Sequence, residues 1–166
     1  MGNNVKRKAA QMVVEGVEAP DVVLAMDDGT TTKLSALRGS PVVLYFYPKD
    51  DTPGCTTEAK DFSCLVDQFK AAGAVVIGLS PDSVKSHEKF RQKHELTIKL
   101  ASDIDKSVAE AFGVWVEKSM YGKTYMGVDR STFVIDKAGK VAKAWRKVKV
   151  PKHAEQVLAA VKSLAE

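Results

Sequence analysis

The chain is short of cysteine. It has only two in 166 residues, Cys55 and Cys64. Two thiols do not make a disulfide framework for a domain of this size. With no C-x-x-C pair, neither a thiolate zinc site nor a dithiol redox motif is indicated. Histidine is scarce too, at three residues. His87 and His94 fall within "HEKFRQKHE", which is not the H-E-x-x-H spacing of a zinc site; both read as surface residues of a helix, and no metal is expected. No apolar run approaches the ~18 residues needed to cross a bilayer. "MGNNVKRKAAQ" starts basic with no apolar stretch behind it, so no secretory signal is expected. Gly2 lacks the Ser or Thr of the myristoylation pattern, Lys6 standing there instead. The expectation is a soluble, cytoplasmic protein with no membrane partner.

What the chain has in excess is positive charge, a net +4. Much of it lies in Lys6, Arg7 and Lys8 and in "KAWRKVKVPK" (143–152). As a strand, the latter places Lys143, Trp145, Lys147 and Lys149 on one face, a charged edge that resists pairing with other chains. A nucleic-acid surface interleaves aromatics with its basic stripe, and Trp145 stands alone, so no nucleic-acid partner is expected. With 45% apolar and 28% charged residues, the length suits one core. A single domain over 12–166 is expected, preceded by a flexible extension over 1–11.

Hydrophobic patterning lays out the elements. "DVVLAMDDGTTTKL" reads as a hairpin turning at Asp28-Gly29, and "SALRGSP" as a helical turn and loop. "VVLYFY" (42–47) is continuously β-branched, apolar and aromatic, the mark of a strand buried on both faces. Cys55, Ala59, Phe62, Val66 and Phe69 share one face of a helix predicted from about Pro53 to Ala72, with Gly73 as its terminator. "AVVIGLS" is a second buried strand, and Asp82 or Ser83 caps a helix through His94. A short strand near "TIKLAS" and a helix over 105–112 ended by Gly113 follow. "GVWVEKSMYGKTYMGVDR" reads as irregular. "STFVIDKAGKVAKAW" is a hairpin turning at Asp136 to Gly139. Ala154, Val157, Leu158, Val161 and Leu164 make the stripe of a last helix. This order predicts an α/β domain of thioredoxin-like type, a mixed central sheet flanked by helices. In open α/β sheets the reactive edge lies at the carboxyl ends of the strands, and Cys55 comes soon after the end of "VVLYFY".

Periodicity alone leaves two readings of Cys55. It packs as a small hydrophobe on the buried helix face, or its position activates it as a nucleophile. The thiolate is the reactive form, and a free cysteine with pKa near ~8.5 is mostly protonated at neutral pH. The first turn of a helix offers unpaired N–H groups and the positive end of the macrodipole, both of which favour the anion. The approach to Cys55 tips the balance toward chemistry. Pro48 and Pro53 fix φ and remove two donors, and Gly54 permits close approach of a ligand. Thr52 offers a hydroxyl able to accept from the helix end and donate to a bound oxygen. Asp50 and Asp51 read as solvated loop charges, and Phe62, Val66 and Phe69 as core. On residue chemistry alone, Arg130 is a surface arginine at a strand start and Glu58 an acid suited to the helix dipole.

"YFYPKDDTPGCTTEA" matches the pattern P-x-x-x-T-x-x-C as Pro48, Thr52 and Cys55. With "GVEAPDVVL" (16–24), "SPDSVKSHEKFRQKHEL" (80–96), "ASDIDKSVAEAFGVW" (101–115) and "KSMYGKTYMGVDRSTFVIDKAGKV" (118–141), it resembles the peroxiredoxins. Among them it is most similar to the bacterioferritin-comigratory-protein or PrxQ subfamily, over roughly residues 12–166. The resemblance implies the peroxiredoxin variant of the thioredoxin-like fold, with an N-terminal hairpin, and a thiol peroxidase that uses no cofactor. Cys55 would attack one oxygen of a hydroperoxide, expel water or an alcohol and become a sulfenic acid. Thr52 would hold sulfur and peroxide oxygen in line, Pro48 would shield the pocket, and the Cys55 N–H would contribute a donor. Arg130 would supply the cation and Glu58 would orient it. The implied partners are a peroxide substrate and thioredoxin or a similar thiol reductant, and relatives are often monomers or weak homodimers.

The match departs at the resolving cysteine. Relatives carry it at a position held here by Lys60, or on the next helix where Arg91 stands. The remaining thiol is Cys64. Nine helical steps rise about 13.5 Å and turn it to the opposite face, whereas a disulfide needs Cα atoms within about 7 Å. A one-cysteine cycle is therefore expected, and a Cys55–Cys64 disulfide requires the helix to unwind. Two other classes of function remain open: a peroxide sensor relaying oxidation by mixed disulfide with little turnover, and a binding module in which Cys55 is dispensable.

Overall fold

The computed structural model describes residues 13–164; the extension expected over 1–11 lies outside them. Strand β1 (Val23–Met26) and β2 (Thr31–Lys33) form the first hairpin, and a 3₁₀ turn (Leu34–Leu37) follows. Gly29 takes a φ of 88° at the hairpin turn, a conformation that side-chain-bearing residues rarely adopt. Next come β3 (Val42–Phe46), α1 (Pro53–Cys64), α2 (Val66–Ala71), β4 (Val75–Ser80), α3 (Val84–His94), β5 (Lys99–Ser102) and α4 (Ser107–Ala111). Strands β6 (Trp115–Met120) and β7 (Lys123–Val128), then β8 (Ser131–Ile135) and β9 (Val141–Trp145), lead to the last helix, α5 (His153–Leu164).

Seven strands form one mixed sheet in the order β2-β1-β5-β4-β3-β8-β9. Strands β3, β4 and β5 run parallel, joined by helical crossovers, while β8 lies antiparallel to β3. The continuous apolar run of β3 is explained by its place at the centre. Val42, Leu44 and Phe46 face one core layer, and Val43, Tyr45 and Tyr47 the other. The second layer is covered by α1, α2, α3 and α5 through Cys55, Phe62, Phe69, Phe90 and Val157. The predicted α/β arrangement with flanking helices is the one found. The basic segment after residue 140 does supply an edge strand, β9, although pairing stops at Trp145.

Two segments differ from expectation. The stretch read as irregular contains a two-stranded antiparallel ribbon, β6–β7. Its turn uses Tyr121 and Gly122, both with positive φ (52° and 78°), the conformation that tight hairpins need. Most of its side chains remain exposed or half-buried, so it lacks the clean alternation of a packed strand. The single helix expected from Pro53 to Ala72 is two helices. The backbone leaves helical geometry at Leu65, whose N–H donates to the Phe62 carbonyl three residues back, a tightened last turn. Cys64 thus ends α1 and is exposed.

Candidate active site

The centre of the sheet aims the loop 47–52 and the start of α1 at one end of the strands. Thr52 is extended (φ −101°, ψ 156°) and serves as the N-cap position, with Pro53 opening the helix. Its carbonyl accepts the Thr56 N–H at 2.8 Å, which closes the first turn. The N–H groups of Gly54 and Cys55 lie within that turn, where the helix itself offers no acceptor. Cys55 is only 2% exposed, its sulfur on the helix face turned toward the core.

Arg130 reaches this sulfur from the residue just before β8. Its Nη2 donates to Cys55 Sγ at 3.3 Å, and its Nη1 donates to Glu58 Oε1 at 2.6 Å. The guanidinium is a fork with two prongs engaged, and its donation is stronger when the sulfur is anionic. Burial works against the Arg130 charge, but Glu58 and Cys55 outweigh it and hold its pKa above the ordinary arginine value. Glu58 is 1% exposed. Burial raises its pKa to about 7, against the pull of Arg130. Gly54 is needed for close approach: a Cβ there would stand 3.3 Å from Arg130 Nη2.

The surroundings are apolar and rigid. Tyr45 is fully buried, stacked on Phe62 with ring centroids 4.6 Å apart and seated against Gly78, where a Cβ would meet its ring at 2.6 Å. Burial, reinforced by the Glu58 and Cys55 charges, keeps its phenol protonated well above the usual range. On the far side of Phe62, His153 packs edge-on and shares a 2.8 Å hydrogen bond with the Thr132 hydroxyl. Burial, with the Arg130 charge adding to it, lowers the His153 pKa to about 4, so this ring is neutral.

The residues singled out in the sequence gather unevenly. Cys55, Glu58 and Arg130 form one connected cluster. Pro48 is half-buried in the loop before them. Thr52 does not use its side chain as a helix cap; its hydroxyl donates instead to the Lys49 carbonyl at 2.9 Å, leaving its oxygen lone pairs as acceptors. Cys64 is remote from Cys55, on the last residue of α1. Arg91 is tied down by a 2.6 Å contact to Asp27 and a 2.9 Å contact to the Leu96 carbonyl.

Two sequence readings need correction. His87 is not a surface residue but wholly buried, and Asp50 is not a solvated charge but buried with it. The pair meets at 2.8 Å, which satisfies two groups that neither could bury alone. One signal was available: His87 stands three residues before Phe90, on the same stripe of α3.

This arrangement can stabilise a buried thiolate and the negative charge that leaves it. The AhpC/TSA family model matches residues 16–144. The chain belongs to the AhpC/TSA family. Within it, the Peroxiredoxin Bcp of Bacillus subtilis is 51% identical over 156 residues, spanning 93% of this chain and 99% of the relative. A structure of Xanthomonas campestris Peroxiredoxin Q superposes with a TM-score of 0.87 at 49% identity, over 92% of this chain and 99% of that one. The bacterioferritin comigratory protein of that organism, solved for insight into its alkyl peroxide reduction activity, gives a TM-score of 0.87 at 48% identity, over 92% of this chain and all of its own. The chain is thus a peroxiredoxin of the Bcp/PrxQ type, a thiol-dependent peroxidase with a thioredoxin-like fold. Two further Xanthomonas campestris structures each replace a different cysteine by serine. The interval between those cysteines, counted onward from Cys55, falls on Arg91.

Proposed function

We propose that this chain reduces hydrogen peroxide and organic hydroperoxides at Cys55 and is recycled by an external thiol. The Cys55 thiolate attacks one peroxide oxygen and the O–O bond breaks. The other oxygen leaves with its electron pair, takes a proton and departs as water or an alcohol, and Cys55 becomes a sulfenic acid. A thiol of thioredoxin, or of a similar dithiol reductant, then displaces water from that sulfur to form a mixed disulfide. Its second thiol releases Cys55 reduced.

The observation that carries the reading is the single guanidinium shared between Cys55 Sγ and Glu58. A fixed donor at the sulfur is also within reach of an oxygen bonding to it, so it stabilises charge where charge develops. Glu58 orients that donor. The Thr52 hydroxyl and the first-turn N–H groups line the approach, and Pro48 limits water.

The one-cysteine cycle is supported by the positions of the other candidates. Arg91 is a locked arginine, Lys60 is no thiol, and Cys64 lies at the opposite end of α1 from Cys55, about 13.5 Å along the axis. The test is the intact mass of reduced protein after one equivalent of hydrogen peroxide, with a sulfenic-acid trap present. A trapped adduct on Cys55, unchanged in Cys64→Ser, is expected. Loss of two hydrogens mapping to a Cys55–Cys64 bond would overturn the one-cysteine cycle. An unmodified Cys55 would overturn the peroxidase reading itself.

A further inference from the structure

The loop that delivers Thr52 is held from below by a buried polar cluster to which the chemistry above assigns no role. Asp50, the residue two before Thr52, accepts the Tyr47 hydroxyl on Oδ1 at 2.6 Å and the Ser86 hydroxyl on Oδ2 at 2.8 Å. His87 Nδ1 meets the same Oδ2 at 2.8 Å. The Asp50 N–H donates to Asp82 Oδ2 at 2.7 Å. Asp51, held at a φ of 58°, is gripped in turn by Lys93 and His94 at the other end of α3, at 2.7 and 2.8 Å. The loop is therefore strapped along the whole length of α3.

The proton positions on His87 follow from its partners. Nε2 lies 2.8 Å from the Ala101 carbonyl, which can only accept, so Nε2 carries a hydrogen. Nδ1 faces Asp50 Oδ2, with the Tyr47 hydroxyl 3.5 Å away. In the charged pair Nδ1 carries a hydrogen as well, and His87 is then an imidazolium with no exposed surface. Burial alone would discharge it, but the hydrogen bond and charge of Asp50, the Ala101 carbonyl and the Asp82 charge together raise its pKa above the ordinary value. The groups facing it are thus Tyr47 and Asp50 from the loop after β3, Asp82 from the β4–α3 turn and the Ala101 carbonyl from β5.

We propose that the Asp50–His87 ion pair is a positioning device for the peroxidase reaction, clamping the Pro48–Thr52 loop to α3 so that Thr52 and the start of α1, which carries Cys55, stand in register with Arg130. The inference rests on the peroxidase reading above. A proton lost from His87 leaves one N–H between two acceptors, the Asp50 carboxylate and the Ala101 carbonyl, and loosens the strap at that contact. Peroxide reduction therefore falls as pH rises through the His87 titration, above the ordinary histidine value, while alkylation of the buried Cys55 by a small neutral agent does not fall with it.

The test needs no variant to begin. In the unaltered protein, the His87 ring-proton resonance is followed by NMR against pH beside the stopped-flow rate of Cys55 oxidation by hydrogen peroxide. The two are expected to change over the same range, and a His87 titration with no change in that rate would overturn the proposal. His87→Leu is expected to slow peroxide oxidation by roughly tenfold to a hundredfold and to remove the alkaline fall, with iodoacetamide alkylation of Cys55 nearly unchanged. His87→Asn keeps a donor toward Asp50 and recovers part of the rate. A folded His87→Leu with the parent rate and pH profile would overturn the clamp. Asp50→Asn, which keeps the shape and loses the charge, puts the same question from the other side. Absence of fast oxidation in the unaltered protein would instead sink the peroxidase reading on which the clamp depends.

Discussion

Arg130 and Cys55 lie 75 residues apart in the chain, yet the guanidinium Nη2 stands 3.3 Å from the sulfur while its other prong is fixed by Glu58. The relationship is directional. A planar fork aimed by a buried carboxylate cannot be replaced by a mobile point charge. Arg130→Gln is expected to lower the second-order rate of Cys55 oxidation by roughly 10²–10³-fold, the size seen when one transition-state donor is lost. Arg130→Lys should fall between the two. Stopped-flow fluorescence of Trp115 and Trp145 against hydrogen peroxide checks both.

Gly54 separates stability from rate. Its missing Cβ leaves room for Arg130 Nη2, which would otherwise have to shift by a few tenths of an ångström from a contact at 3.3 Å. Gly54→Ala is expected to slow peroxide oxidation about threefold to tenfold through that misplacement. The same change limits the unfolded chain and favours helix, a gain of about 0.5 kcal/mol in chemical denaturation. A rate loss together with a stability loss would point to general disruption instead.

Glu58 makes the fold sensitive to pH in a definite sense. Burial raises its pKa to about 7 from 4.5, Arg130 opposing. Between those values the folded state keeps a proton that the unfolded chain has released. Its contribution to stability is full below the unfolded value and is lost as pH rises through the folded one. Glu58→Gln never ionises, so denaturation midpoints measured across this window should slope less in the variant than in the parent.

His153 acts in the opposite sense. Burial, with the Arg130 charge behind it, lowers its pKa to about 4 from 6.5. Its contribution to stability is present above about 6.5 and lost as pH falls through about 4, on the order of 3 kcal/mol at most. His153→Phe should flatten that acid-side loss, though it leaves the Thr132 hydroxyl without its partner and lowers stability near neutral pH. Urea titrations at a series of acid pH values separate the two effects.

Much of the frame was legible in advance. The buried strand "VVLYFY", a cap at Asp82 or Ser83 (the structure uses Ser83), the Asp28-Gly29 and Asp136–Gly139 turns and the placement of Cys55 in a first helical turn are local properties, expressed within a few residues. The ribbon β6–β7 was not legible, because it packs little of its surface and so lacks a buried face to write into the pattern. The break at Leu65 was hidden for a related reason: the apolar stripe continues through it unchanged, and the tightening is a matter of backbone geometry alone.

The sequence by itself determined most of the helices and strands of the central sheet and its layers, that the sheet has a reactive edge, and that a cysteine stands at that edge behind a rigid Thr-Pro-Gly approach. Only the tertiary structure decided that Arg130 and Glu58 close on that cysteine and that Asp50 and His87 form a buried pair beneath the loop. The physical reason is that a charged side chain is buried or solvated according to its partner. Here the partners arrive from other elements, 37 to 75 residues away in the chain. Short-range periodicity records which face of an element is apolar, and it carries no record of which distant charge will come to rest against it.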